Sequence, residues 1–86
     1  MWKITKDISG AGDLGLPNRK GWTSCDYDGR PLLYKFRMCC DDGEVMYYGY
    51  SSSNDDEEAF APLDDLGEPD AGCTYIEYYN NGWEML

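Results

Sequence analysis

The chain has 86 residues, of which 42% are hydrophobic and 15% aromatic, and its formal net charge is −10. This length supports one domain with one core, so we expect a single acidic domain over residues 1–86, and the hydrophobic content excludes an intrinsically disordered chain. The absence of histidine removes the commonest general base and the commonest neutral metal ligand, so we expect no enzyme, no catalytic residues and no cofactor.

The first segment of the chain predicts a strand followed by a long loop. Trp2 and Ile4 alternate with polar residues, and a period of two is typical of a strand. Residues 9–18 are rich in glycine and lack periodicity, which indicates a loop. A further short strand is predicted over residues 22–27.

A β-hairpin over residues 32–50 is the best-defined element. Alternation predicts a core face that contains Leu32, Tyr34, Phe36, Met38 and Cys40, and an opposite face that contains Leu33, Lys35, Arg37 and Cys39. The turn Asp41-Asp42-Gly43 supplies residues that tolerate positive φ, and residues 44–50 return as an aromatic-rich strand.

The last third of the chain predicts a short helix and a second hairpin. Asn54 can cap a helix whose Glu57 stands three residues on, and Pro62 either limits that helix to two turns or restarts a second turn. Residues 67–72 indicate a turn-rich link, and residues 73–86 form a hairpin around Asn80-Asn81-Gly82. The predicted fold is α+β, a mainly antiparallel sheet of about five or six hairpin-derived strands with one short helix.

Charge is divided unevenly along the chain. Residues 1–40 contain all seven basic residues and have a net charge of +3, whereas residues 41–86 contain no Lys or Arg and have a net charge of −13. Interspersed charges would keep the protein soluble with less self-repulsion. A basic binding partner would compensate for this repulsion.

Tyrosines coincide with the acids in the second half. Consecutive tyrosines in a strand point to opposite faces, so some of these rings should remain exposed and serve as interface anchors. The predicted partner-binding surface contains Asp41, Asp42, Glu44, Tyr48, Asp55, Asp56, Glu57, Glu58, Asp64, Asp65 and Tyr79.

In size, acidity, lack of histidine and sheet-rich layout, the chain resembles the small acidic anti-CRISPR and anti-restriction proteins of phages and mobile elements, some of which are DNA mimics. The resemblance implies a monomeric inhibitor that binds a basic DNA-binding protein, such as a CRISPR surveillance or nuclease complex. Residues 55–58 and the neighbouring acids would block the DNA channel of that partner.

Calcium binding, zinc binding and an adaptor role have weaker support. The acids offer oxygen ligands for calcium, but an EF-hand loop that began at Asp26 would place Arg37 where a bidentate Glu is required. Zinc is disfavoured because Cys39 and Cys40 should point to opposite faces of a strand. Calcium binding and an adaptor role remain the alternative hypotheses, and no metal residue is assigned.

Direct nucleic-acid binding is disfavoured by the net charge, although Arg19, Lys20 and Trp22 place two cations beside an aromatic ring. Those cations are expected to face the acidic half of the chain.

Charges within the first seven residues disfavour a signal peptide, and no apolar run has transmembrane length. We therefore expect a cytoplasmic protein, in the host cell if a phage encodes it, with no membrane partner and with reduced cysteines. A secreted scaffold with two disulfides is the alternative.

Overall fold

Five antiparallel strands form the framework of the protein. A computed structural model describes residues 1–7 and 23–86. The strands are β1 (Trp2–Asp7), β2 (Tyr34–Cys39), β3 (Val45–Ser51), β4 (Tyr75–Tyr79) and β5 (Trp83–Met85). They form one sheet with the order β1-β3-β2-β4-β5. The predicted α+β class with a mainly antiparallel sheet is confirmed.

Both predicted hairpins are present, and their turns have the expected backbone. Gly43 in the β2–β3 turn has a φ of 85°, and Asn81 and Gly82 in the β4–β5 turn have φ of 59° and 143°. Residues with little steric penalty at positive φ stand at these positions, which explains why the turns were predictable. Of the strand predicted over residues 22–27, the described residues 23–27 form one bridge, between Thr23 and Lys3, because a turn begins at Cys25. Trp22 and the predicted loop over 9–18 lie outside the described residues.

A bent helical segment covers one face of the sheet. It contains a 3₁₀ turn (Glu57–Phe60), a π-type turn (Leu63–Gly67) and a short helix α1 (Glu68–Ala71). Gly72 ends α1 in the left-handed conformation. The segment thus runs through most of the predicted link at residues 67–72 and ends at Ala71. Pro62 is the N-cap residue of the π-type turn, and Pro69 stands in the first turn of α1, a position where proline is favoured.

The helix begins later than predicted. Asp56, not Asn54, is the N-cap residue, and its side chain makes no capping hydrogen bond. The Ser53 hydroxyl instead donates to the Asp56 carboxylate at 2.7 Å. This local bond occupies the carboxylate and replaces the predicted capping box.

The hydrophobic core lies between the helical segment and one face of the sheet, here termed the covered face. Phe36 pairs with Tyr78 across β2 and β4, and Met38 pairs with Ile76 on β4 and Tyr47 on β3. These five side chains are buried together with Trp2, Ile4, Ala59, Leu63, Leu66 and Cys73. Tyr34, predicted to be core, is 38% exposed at the start of β2.

Two irregularities interrupt the strand register. The pairing shifts between Met38 and Cys39 on β2, but Cys39 keeps its predicted side opposite the core, where it is 1% exposed and its thiol lies 3.8 Å from Glu77 Oε1. The pairing also shifts between Ile4 and Lys6 on β1, which leaves Thr5 as the extra residue. None of the helices in residues 1–7 and 23–86 combines the length and apolar character that a bilayer crossing requires.

Candidate functional site

Acidic residues surround an exposed aromatic ring on the helical segment. Glu57, Asp64 and Asp65 line a shallow depression together with Phe60 and Ala61. All three carboxylates are exposed, and Phe60 is 40% exposed. Asp55, Asp56 and Glu58 adjoin this depression in sequence and are exposed as well. We term the six acids and Phe60 the acidic helical side.

Hydrogen bonds attach this acidic helical side to the sheet. The indole N–H of Trp2 donates to Asp65 at 3.3 Å, and the Ser52 hydroxyl donates to Glu58 at 3.1 Å. Beneath the 3₁₀ turn, the buried Tyr78 hydroxyl donates to the carbonyl oxygen of Ala59 at 2.8 Å. These bonds position the carboxylates on a fixed scaffold, which reduces the entropy lost when a partner binds.

The structure places the acids of the β2–β3 turn elsewhere. The β2–β3 turn precedes the first residue of β3 and carries three exposed acids, Asp41, Asp42 and Glu44. The acidic helical side lies near the other end of β3, because Ser52, which follows the last strand residue Ser51, donates to Glu58. Since β3 has seven residues, its ends are about 20 Å apart. Those three acids therefore do not join the acidic helical side.

The same turn brings three ligating atoms together. Atoms of Cys40, Asp42 and Glu44 lie within 4.8 Å of one another. The Cys40 thiol donates to Asp42, and this hydrogen bond, with one from the backbone N–H of Glu44, holds the pKa of Asp42 below its ordinary value. A thiol and two exposed carboxylates do not form the set of oxygen ligands that calcium prefers.

The two tyrosines predicted for the interface lie on the sheet face opposite to the helical segment, here termed the open face. Tyr48 pairs with Arg37, and Tyr79 pairs with Trp83. Trp83 contacts both tyrosine rings, with centroids 6.1 Å from Tyr48 and 5.4 Å from Tyr79. The predicted surface is therefore divided among the acidic helical side, the β2–β3 turn and the open face.

Cations flank the tyrosines of the open face, and sequence analysis did not assign them to a site. Cross-strand pairing forms one row of Lys3, Tyr50 and Lys35, and a second row of Lys6, Tyr48 and Arg37. Arg37 lies 4.4 Å from the ring centroid of Trp83, and its Nε donates to Glu77 at 2.7 Å.

The sequence signal that could have identified these cations was the alternation of Lys35 and Arg37 with apolar residues along β2. Arg19, Lys20 and Trp22 lie outside the described residues.

The cysteines differ in burial. All four are free thiols. Cys25 is exposed, whereas Cys39 and Cys73 are each 1% exposed. Burial raises the pKa of Cys39, and it raises the pKa of Cys73 to about 12.

We predict a corresponding order of alkylation. The thiolate is the reactive form, so native protein treated with iodoacetamide at pH 8 should be modified at Cys25 well before Cys39 and Cys73. Peptide mass spectrometry measures the order, and the same reaction in urea should modify all four residues. Rapid native modification of Cys73, or a protected disulfide, would contradict the burial and the expected reduced state.

The described surface thus offers carboxylates around Phe60 on one side and cations around tyrosines on the other. The first can bind a basic surface and the second an anionic one. The chain matches no protein-family model, no curated protein and no solved structure.

Proposed function

We propose that this protein is a non-catalytic inhibitor that binds a basic nucleic-acid-binding protein through its acidic helical side. The observation that carries the proposal is the display of three carboxylates, Glu57, Asp64 and Asp65, around exposed Phe60, with three further exposed acids adjoining in sequence. Residues 41–86 contain no Lys or Arg, and among the described residues the cation paired with one of these acids is the N-terminal ammonium, 3.7 Å from Glu58. A surface of this kind attracts a basic partner at long range.

Phe60 supports a docked contact in addition to electrostatic attraction. Exposed rings at the centre of an interface often contribute most of its binding energy, whereas charges at the rim mainly increase the association rate. In this surface the ring lies among the carboxylates, not on the opposite face with Tyr48 and Tyr79. The proposed anchor is therefore Phe60 in place of the two tyrosines.

The proposed partner is a protein that holds DNA in a basic channel, such as a CRISPR surveillance or nuclease complex. Duplex DNA carries about one negative charge per 1.7 Å of its axis, and clustered carboxylates compete for the same cations. The protein would then act as a monomeric DNA mimic of the anti-CRISPR type. We expect it to act in the cytoplasm, which would be that of the host cell if a phage carries the gene.

Displacement of DNA from purified proteins tests this function. The partners are a panel of DNA-binding proteins that includes an RNA-guided nuclease, each loaded with a fluorescein-labelled DNA duplex, and anisotropy reports release of the duplex. Two variants remove the same number of charges. The first is Glu57→Gln with Asp64→Asn and Asp65→Asn, and the control is Asp41→Asn with Asp42→Asn and Glu44→Gln.

We expect the native protein to displace DNA from at least one member of the panel. The first variant should lower the association rate about tenfold, because it removes charge from the contact surface, and the control should change it less than twofold. Phe60→Ala should mainly increase the dissociation rate. Equal effects of the two charge variants, or no displacement from any partner, would reject the acidic helical side as a DNA-mimicking surface.

A further inference from the structure

The open face carries charge of the sign opposite to that of the whole protein. Its two cross-strand rows each place a tyrosine between two cations. The lysines of these rows, Lys3, Lys6 and Lys35, are exposed. Within the described side chains, none of the three forms an ion pair. Their ammonium groups are therefore available to an anionic ligand.

Aromatic rings make this face more than a patch of positive charge. Tyr48, Tyr50 and Trp83 are half-buried, and together with Lys6 and Lys35 they line a broad, shallow depression. The ammonium of Lys35 lies 6.0 Å from the ring centroid of Tyr48. Cations and planar rings thus alternate across three adjacent strands.

The net charge of −10 does not decide what this face binds, because the acids of the helical segment lie beyond the core. The smallest principal extent of the molecule is 20 Å. The Debye length at physiological ionic strength is about 8 Å, so charges on the far side of the molecule are largely screened. Glu77, a carboxylate on the open face, is already paired with Arg37.

We propose that the open face binds single-stranded nucleic acid. Lys3, Lys6 and Lys35 would contact the phosphates, while bases would stack on the tyrosine rings, a combination that suits single strands of any sequence. An acidic peptide would gain only exposed ion pairs, which contribute little each, and would leave the rings unused. This inference goes beyond the inhibitor function, since it concerns the other side of the molecule.

Fluorescence anisotropy with labelled dT20 and U20 tests the proposal at sodium chloride concentrations between 50 and 200 mM. The native protein should bind both strands, and log K should fall against log salt with a slope of about −2, as expected for three phosphate contacts. The double variant Lys3→Gln with Lys35→Gln should reduce the slope by about 1.4 and weaken binding severalfold. The matched variant Lys3→Arg with Lys35→Arg should retain both.

A pair of tyrosine variants tests whether the bases stack on the rings of the open face. Tyr50→Leu should weaken binding about fivefold or more, because it removes a stacking surface. Tyr34→Leu removes an exposed tyrosine from another part of the sheet and should leave binding unchanged. Circular dichroism checks that each variant is folded.

Several outcomes would overturn the proposal. These are no anisotropy change with native protein at 100 mM salt, equal binding by the Gln and Arg double variants, and displacement of the strands by polyglutamate at the same charge concentration. The last outcome would assign the face to acidic polypeptides. Glu57→Gln with Asp64→Asn and Asp65→Asn should not weaken strand binding, so failure of this proposal is distinguishable from failure of the inhibitor function.

Discussion

Gly49→Ala is expected to destabilise the protein by about 3 kcal/mol or more, a large part of the stability of a domain of this size. Gly49 lies in β3 between β1 and β2. A Cβ atom there would clash with the carbonyl oxygen of Lys3 and would lie 2.6 Å from Cζ of Phe36. The backbone oxygen cannot retreat unless β1 moves, and the ring is buried in the core. Urea denaturation measures the loss.

Gly29→Ala is the matched control for this prediction. Gly29 has a φ of 89°, but nothing lies within 4 Å of a Cβ atom at that position. Alanine there should cost only the backbone strain of about 1 to 2 kcal/mol. Equal losses for the two variants would show that β1 and Phe36 do not crowd Gly49.

We also expect a large loss of the free energy of unfolding between pH 10 and pH 12. Burial raises the pKa of Cys73 from 9.0 to about 12 and that of Tyr78 from 10.0 to about 12. In both cases the folded state favours the neutral form. Their contribution to stability is therefore complete below pH 9 and is lost as the pH rises toward 12.

The size of this effect follows from the two pKa differences. One pKa unit corresponds to about 1.4 kcal/mol, so the shifts together represent on the order of 7 kcal/mol. That amount is comparable to the total stability of a domain of about 86 residues. Urea denaturation at pH 7, 10 and 11, followed by circular dichroism, should show a falling free energy of unfolding.

Two phenylalanine variants identify the source of the pH dependence. Tyr78→Phe should lose stability at pH 7, because it removes the hydrogen bond to Ala59, yet it should depend less on pH above pH 10. Tyr79→Phe changes a residue that is 54% exposed and should leave the profile unchanged. A free energy of unfolding that stays constant from pH 7 to pH 11 would contradict the burial of Tyr78 and Cys73.

The hairpins were predictable because their signals are local. Asp41-Asp42-Gly43 and Asn80-Asn81-Gly82 determine where the chain reverses, and alternation places Phe36 and Met38 on the same face. The helical segment was less predictable. Its late start depends on a side-chain bond from Ser53 to Asp56, and its extension past Pro62 depends on burial of Leu63 and Leu66 against the sheet.

The candidate sites were harder to predict because they depend on strand order and on bulges. Strict alternation would place Lys3 and Lys6 on opposite faces of β1. The register shift between Ile4 and Lys6 returns Lys6 to the open face beside Tyr48. The order of strands then brings β1 and β2 to either side of β3, so that lysines distant in sequence flank the same tyrosines. Counting charges along the chain cannot reveal this arrangement.

The strand order also has a consequence for folding kinetics. The β2–β3 and β4–β5 hairpins are local and can form within about 1 to 10 μs. In contrast, Lys6 pairs with Tyr48 and Phe36 with Tyr78, each 42 residues further along the chain. Closing such long loops is slow, and on the ribosome β1 lacks its partner strand until β3 has been synthesised. The alternating apolar residues of β1 are then the segment for which a chaperone would compete.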